Sequence, residues 1–166
     1  MSCLDENDVK KRILCVATAL FAEKGYGSTS VREVVEAAGV TKPTLYYYFA
    51  NKEALFVELI GLHMDGLDDI IRRSLAGPGT VRDRLHSFIR AYCDGALENQ
   101  DIVQLMWTCQ HPTDRKQPQI DLMSMHLRKM AHVGTLFTEG IASGELRSDL
   151  DVDYAVRGFV GMVDLH

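Results

Sequence analysis

Cysteine, proline and tryptophan are scarce in this chain of 166 residues, at four, four and one. The cysteines, Cys3, Cys15, Cys93 and Cys109, lie far apart with no C-x-x-C pair, so neither a zinc site nor a disulfide framework is written in their spacing. They read as ordinary small residues, with a redox or electrophile-sensing thiol as the alternative. Long apolar runs are missing too. The longest stretch without a charged side chain, Ile102 to Thr113, is well short of the ~20 residues a spanning helix needs, so no membrane association is expected. The amino terminus, MSCLDEND, is acidic and lacks the basic flank and apolar run of a secretory signal, which points to a cytoplasmic location.

Signatures of catalysis are also missing. There is no H-E-x-x-H, no phosphate-loop pattern and no G-x-S-x-G, and Gly25 and Gly27 lack the third glycine and the strand of a dinucleotide site. His126 and His132 are six positions apart, about 240° round a helix, and cannot share a metal from one helix. No enzyme, metal or cofactor is expected; turnover surviving alanine at Lys42, Tyr46 and Lys52 would reverse that expectation. Cations are in deficit, with 18 Lys and Arg against 23 Asp and Glu and a net charge of -5, which speaks against nucleic acid for the chain as a whole. The distribution softens the objection. From Val34 to Phe56 the only acids are Glu36 and Glu53, and Lys42 and Lys52 bracket an uncharged run with three consecutive tyrosines.

What is present is helical periodicity almost throughout, with no sustained alternation of the strand type. The spacing predicts an all-α protein: a three-helix head with a helix-turn-helix, residues 1–51, joined through a long fourth helix to a helical body, residues 52–166. The first helix is expected from about Asp8 to Lys24, with Val9, Ile13, Ala17, Leu20 and Phe21 on one face, ending at Gly25. Ser30 and Glu33 form a capping box for a second helix whose stripe is Val31, Val34, Val35 and Ala38. Gly39 makes the turn, Thr41 caps a third helix, and Pro43 is tolerated in its first turn.

Asn51 caps a fourth helix reaching Leu75. The run from Gly77 to Gly79 interrupts, and Thr80 starts a fifth helix from Val81 to about Leu97. A shorter helix from Asp101 to Gln110 is ended by His111 and Pro112. A long helix from about Gln117 to Ser143 carries a seam of Ile120, Met123, Leu127, Met130, Phe137 and Ile141, with Gly134 in register. Asp151 or Asp153 caps a last helix that is still running at His166, so the C-terminal helix reads as incomplete.

On the third helix, Leu45 and Phe49 are four apart and can face a core. Lys42 with Tyr46 and Pro43 with Tyr47 then form an outward strip, flanked by Thr44 and Tyr48. Such a strip offers a cation for guanine edges, apolar surface for thymine methyls and hydroxyls for phosphates. Packing is the competing role for the tyrosines, but three consecutive positions span about 200° of a helix, so all three cannot be buried. Lys52, just past the Asn51 cap, can hold a phosphate together with the amides of the first turn; a solvated lysine is its alternative.

The runs Phe21 to Tyr26, Val34 to Gly39, Thr44 to Phe49 and Asn51 to Leu55 are together similar to the TetR family of transcriptional regulators. Position by position, that resemblance implies base-edge contacts from Arg32, Lys42, Pro43, Thr44, Tyr46 and Tyr47. It implies phosphate contacts from Thr29, Ser30, Tyr48 and Lys52. Gly144 to Arg147, followed by Asp149 and Asp151, resembles the family's approach to its dimerisation helices. The resemblance further implies a homodimer on double-stranded operator DNA, and a body that binds a small-molecule effector and converts binding into reorientation of the heads.

The body itself supplies apolar stripes poor in charge, with His63, Phe88, Tyr92, Met106, Trp107, His111, Met123, His126, Met130 and Phe137 as its unusual residues. They can line an adaptable pocket for an apolar or aromatic molecule, or build plain core. The expected function is a repressor released from a palindromic operator by a mostly apolar effector. Two rivals are a body that serves only for protein interaction or constitutive dimerisation, and an activator, which differs only in where the operator lies.

Overall fold

A computed structural model describes residues 8–111 and 115–164. Among them are α1 (Val9–Lys24), α2 (Val31–Ala37), α3 (Lys42–Tyr48), α4 (Lys52–Leu75), α5 (Val81–Glu98), α6 (Gln100–Gln110), α7 (Leu122–Ala142) and α8 (Val152–Asp164), with no strand among the described residues. None of these helices is long and apolar enough to cross a membrane. Most boundaries are set locally. Asp8 accepts from Lys11 N, Ser30 and Glu33 close both bonds of their capping box, Thr41 accepts from Thr44 N, and Asn51 accepts from Ala54 N at 2.7 Å. Each cap satisfies an amide that has no partner within the helix.

The helices form two compact units. The first runs through His63 and takes in Ala96–Ile120. In it α1 packs on α2 and α6, and α2 on α3. Its centre is aromatic: Phe21, Tyr26 and Phe56 meet pairwise, with ring centroids 5.0 to 5.7 Å apart. Ile13, Ala17, Val34, Leu45, Leu55 and Leu105 are buried in the same unit. Fully burying one such side chain contributes about 1.5–3 kcal/mol, so this short head is held by a few large residues.

The second unit comprises Met64–Gly95 and Asp121–His166. Ile71, Leu75, Val81, Phe88, Val133, Leu136, Phe137, Val156 and Val160 make its core, and α7 packs on α8. Arg84 donates through Nε to the Leu75 carbonyl and through Nη2 to Glu139, 3.0 Å away. Glu145 accepts from Val81 N at 2.7 Å and so caps α5 from the loop after α7. The continuous helix α4 belongs to both units, which meet in sequence at His63–Met64.

Two sequence expectations change. The helix predicted from Gln117 begins at Leu122, where Asp121 accepts from Ser124 N, leaving Pro118 and Ile120 outside it. A proline has no amide to donate and disfavours helix in the residue before it, so the cap prevails over the apolar spacing. The seam is also rotated. Met123 and Leu127 are exposed, and Val133, Leu136, Phe137 and Gly140 form the buried face. Cys93 and Cys109 are free thiols.

Candidate nucleic-acid interface

The helix α3 is seven residues long and has one buried anchor within it, Leu45, at 0% exposure, with Phe49 at 2% just beyond its end. Burying these two positions leaves Lys42, Pro43, Tyr46 and Tyr47 on the outer face. Tyr47 is 82% exposed and Tyr46 48%, values that a packing residue does not keep. Tyr48 is half-buried, its ring edge-on to Tyr47 at 5.0 Å and 6.3 Å from Phe49. Thr44 is half-buried as well, with its hydroxyl 2.8 Å from that of Thr41. The strip anticipated from the sequence is therefore one continuous outward surface.

Gly39 turns the chain between α2 and α3 with φ of +62°, a left-handed value that a side chain makes costly. Its amide donates to the Glu36 carbonyl, and Val40 N donates to Val35 O at 3.0 Å, closing the end of α2. On α2, Arg32 is exposed and its Nε donates to Glu36 at 2.6 Å. An exposed pair of this kind is weak enough to be exchanged for a base edge. Ser30 is exposed but its hydroxyl accepts from Glu33 N. Glu33 also receives Lys24 Nζ at 2.9 Å, and these donors hold its carboxyl at about 2 instead of the usual 4.5, Lys24 being the largest influence.

Two members of the expected phosphate set are turned inward. Thr29 is 1% exposed, and its hydroxyl donates to the carbonyls of Leu20 at 3.1 Å and Gly25 at 2.8 Å. A hydroxyl spent on closing the turn after α1 does not present itself to a phosphate. Lys52 donates to the carbonyls of Tyr26 and Thr29, and its ammonium lies 4.1 Å from the Tyr26 ring centroid. Charged hydrogen bonds of this sort contribute about 1.5–3 kcal/mol each. Sequence reasoning missed Tyr26 as the platform for that lysine, and missed Arg12, whose Nε donates to the Ala38 carbonyl at 2.9 Å. The basic run Lys10 to Arg12 was the available signal for Arg12.

The candidate effector residues divide between the units. His63, Met106, Trp107 and His111 lie in the first; Phe88, Tyr92, Met123, His126 and Met130 lie in the second. Trp107 and His111 stack at 4.2 Å, both exposed, and burial holds His63 at about 4, well below the usual imidazole value. His63 lines a cavity of 370 Å³ with Cys15, Thr18 and the segment from Leu97 to Ile102. Phe88 is wholly buried against Tyr92 and Phe159, so it is core. Met123 is exposed and Met130 packs on that core. A groove of 490 Å³ in the second unit, walled by Val81, Leu85, Ile89, Phe137, Leu146, Leu150, Ala155 and Phe159 with Arg82 and His86 beside them, takes in one of the residues singled out from the sequence, Phe137.

Residues 13–59 match the family profile described as bacterial regulatory proteins, tetR family. The chain is similar to the HTH-type transcriptional repressor KstR2 of Mycobacterium tuberculosis (strain ATCC 25618 / H37Rv), 27% identical over 152 residues, covering 91% of this chain and 76% of that protein. It is similar to the fatty acid metabolism regulator protein of Bacillus subtilis (strain 168), 26% identical over 155 residues, 92% of this chain and 78% of the relative. The crystal structure of the transcriptional regulator FadR from Bacillus subtilis in complex with stearoyl-CoA has the same fold, with a TM-score of 0.73 at 23% identity, covering 93% of this chain and 82% of that one.

Proposed function

We propose that this chain is a regulator of the TetR type, whose family profile its residues 13–59 match, and that it is a homodimeric repressor, released from a palindromic operator by a mostly apolar small molecule. It is a DNA-binding regulator and not an enzyme. The observation that carries the operator reading is the strip of Lys42, Pro43, Tyr46 and Tyr47, held outward by the burial of Leu45 and Phe49. Lys42 suits guanine edges and the tyrosines suit thymine methyls and phosphates, with Arg32 and Thr44 reaching base edges and Ser30 and Tyr48 the backbone. In a two-fold dimer the two α3 helices meet successive major grooves at a separation of about 34–36 Å.

The apolar effector is supported by the low charge of the inward stripes of the body and by the name of the Bacillus relative, which regulates fatty acid metabolism. FadR, which shares this fold, was crystallised in complex with stearoyl-CoA, a ligand with a long apolar chain. Release follows from differential affinity: a ligand that favours the non-binding conformation shifts the population by that difference and no more.

Selection from random duplex DNA tests the operator reading, and a palindrome is the expected enrichment; uniform, non-palindromic enrichment sinks it. Calorimetry against a panel of apolar acids, aromatics and polar metabolites tests the effector. Binding confined to inorganic ions or strongly polar metabolites would remove that part of the proposal.

A further inference from the structure

Lys52 is the first residue of α4, yet its side chain belongs to the turn that joins α1 to α2. Nζ donates to the Tyr26 carbonyl at 2.7 Å and to the Thr29 carbonyl at 2.9 Å, and sits over the Tyr26 ring. These carbonyls stand at the two ends of the turn, which Thr29 N also closes onto Tyr26 O at 3.3 Å. The ring beneath the ammonium is itself fixed, because Tyr26 is buried against Phe21 and Phe56. The Thr29 carbonyl is in the same peptide as Ser30 N, which donates to Glu33 Oε2 at 2.8 Å in the capping box that starts α2. An ammonium offers three donors and a compact charge, and here two carbonyls and an aromatic face are arranged around it.

We propose that Lys52 is a positioning residue for operator reading: it pins the α1–α2 turn to the start of α4, and so sets α2 and, through the Gly39 turn, the pose of α3. Its contribution to DNA affinity passes through that pose and not through a phosphate. The inference rests on the reading of the chain as an operator-binding regulator.

The test uses the full chain and the duplex its wild type enriches. Lys52→Gln is expected to weaken binding roughly tenfold, the loss of a charged hydrogen-bonded group. The slope of log affinity against log salt should stay at its wild-type value. In the free protein, amides of residues 27–31 should exchange faster in Lys52→Gln, a change that a phosphate ligand would not cause before DNA is present. A slope shallower by about 0.9, the counterion equivalent of one lost phosphate contact, overturns the proposal, as does unchanged exchange. Should Lys52→Gln fail to fold, Lys52→Arg decides: its retained charge preserves a phosphate contact, so wild-type affinity overturns the proposal, and weaker binding at unchanged slope supports it. If the wild type enriches no duplex, the operator reading itself fails and the proposal goes with it.

Discussion

Arg12, in the first helix, donates its Nε to the carbonyl of Ala38 at the end of α2, 2.9 Å away across 26 positions of sequence. The bond falls one residue before the Gly39 turn, so α1 buttresses the place where the chain swings into α3. α3, only seven residues long, has little stability of its own. Its pose is inherited from such contacts, and from the burial of Leu45 and Phe49.

Tyr46→Ala and Lys42→Ala should lose base preference while leaving the thermal transition of the free protein within error of wild type, because both side chains point outward. The discrimination lost at an affected base pair should be about 1–3 kcal/mol, read as the spread of affinities across single-base variants of the selected duplex. Unchanged discrimination would move base reading elsewhere.

Gly140→Ala should destabilise the second unit. A Cβ there would stand 2.6 Å from Val81 Cγ2 and 2.9 Å from Leu146 Cδ1, closer than side chains tolerate, so both must shift. Overpacking of this kind costs about 1–3 kcal/mol, measured as a lower denaturation midpoint at unchanged m-value.

The capping box should show itself in acid. The folded Glu33 carboxyl remains ionised down to about 2, against 4.5 for the ordinary group, because Lys24 and Ser30 donate to it. Its contribution is therefore complete above pH 4.5 and is lost as pH falls towards 2. The stability difference between wild type and Glu33→Gln should shrink across that window; a difference independent of pH would show that the charged form is not the one being held.

His63 should act in a different window. Burial keeps its imidazole neutral down to about 4, whereas the unfolded chain takes up that proton near 6.5. The part of stability set by His63 should decline as pH falls from 6.5 to 4 and change no further below it, and His63→Gln should flatten the profile between 6.5 and 4. An unaltered profile in the variant would assign the decline to other groups.

The free thiols should differ in reactivity. Cys93 is exposed, while burial pushes Cys109 up to about 11. Since the thiolate is the nucleophile, iodoacetamide near neutral pH should label Cys93 first, as followed by peptide mass spectrometry. Faster labelling of Cys109 would mean that its cover opens readily.

The sequence by itself determined the local grammar of this protein. Caps at Ser30, Thr41 and Asn51, the turn at Gly39 and the inward pair Leu45 and Phe49 follow from interactions spanning four residues or fewer, and periodicity reports these directly. The tertiary structure decided what lies opposite each side chain. It turned Lys52 and Thr29 onto carbonyls of the α1–α2 turn, brought Arg12 to the end of α2, and selected which face of α7 is covered. Helical spacing specifies which residues share a face but not which partner that face meets, and apolar stripes such as Met123 with Leu127 and Val133 with Phe137 compete until packing chooses between them.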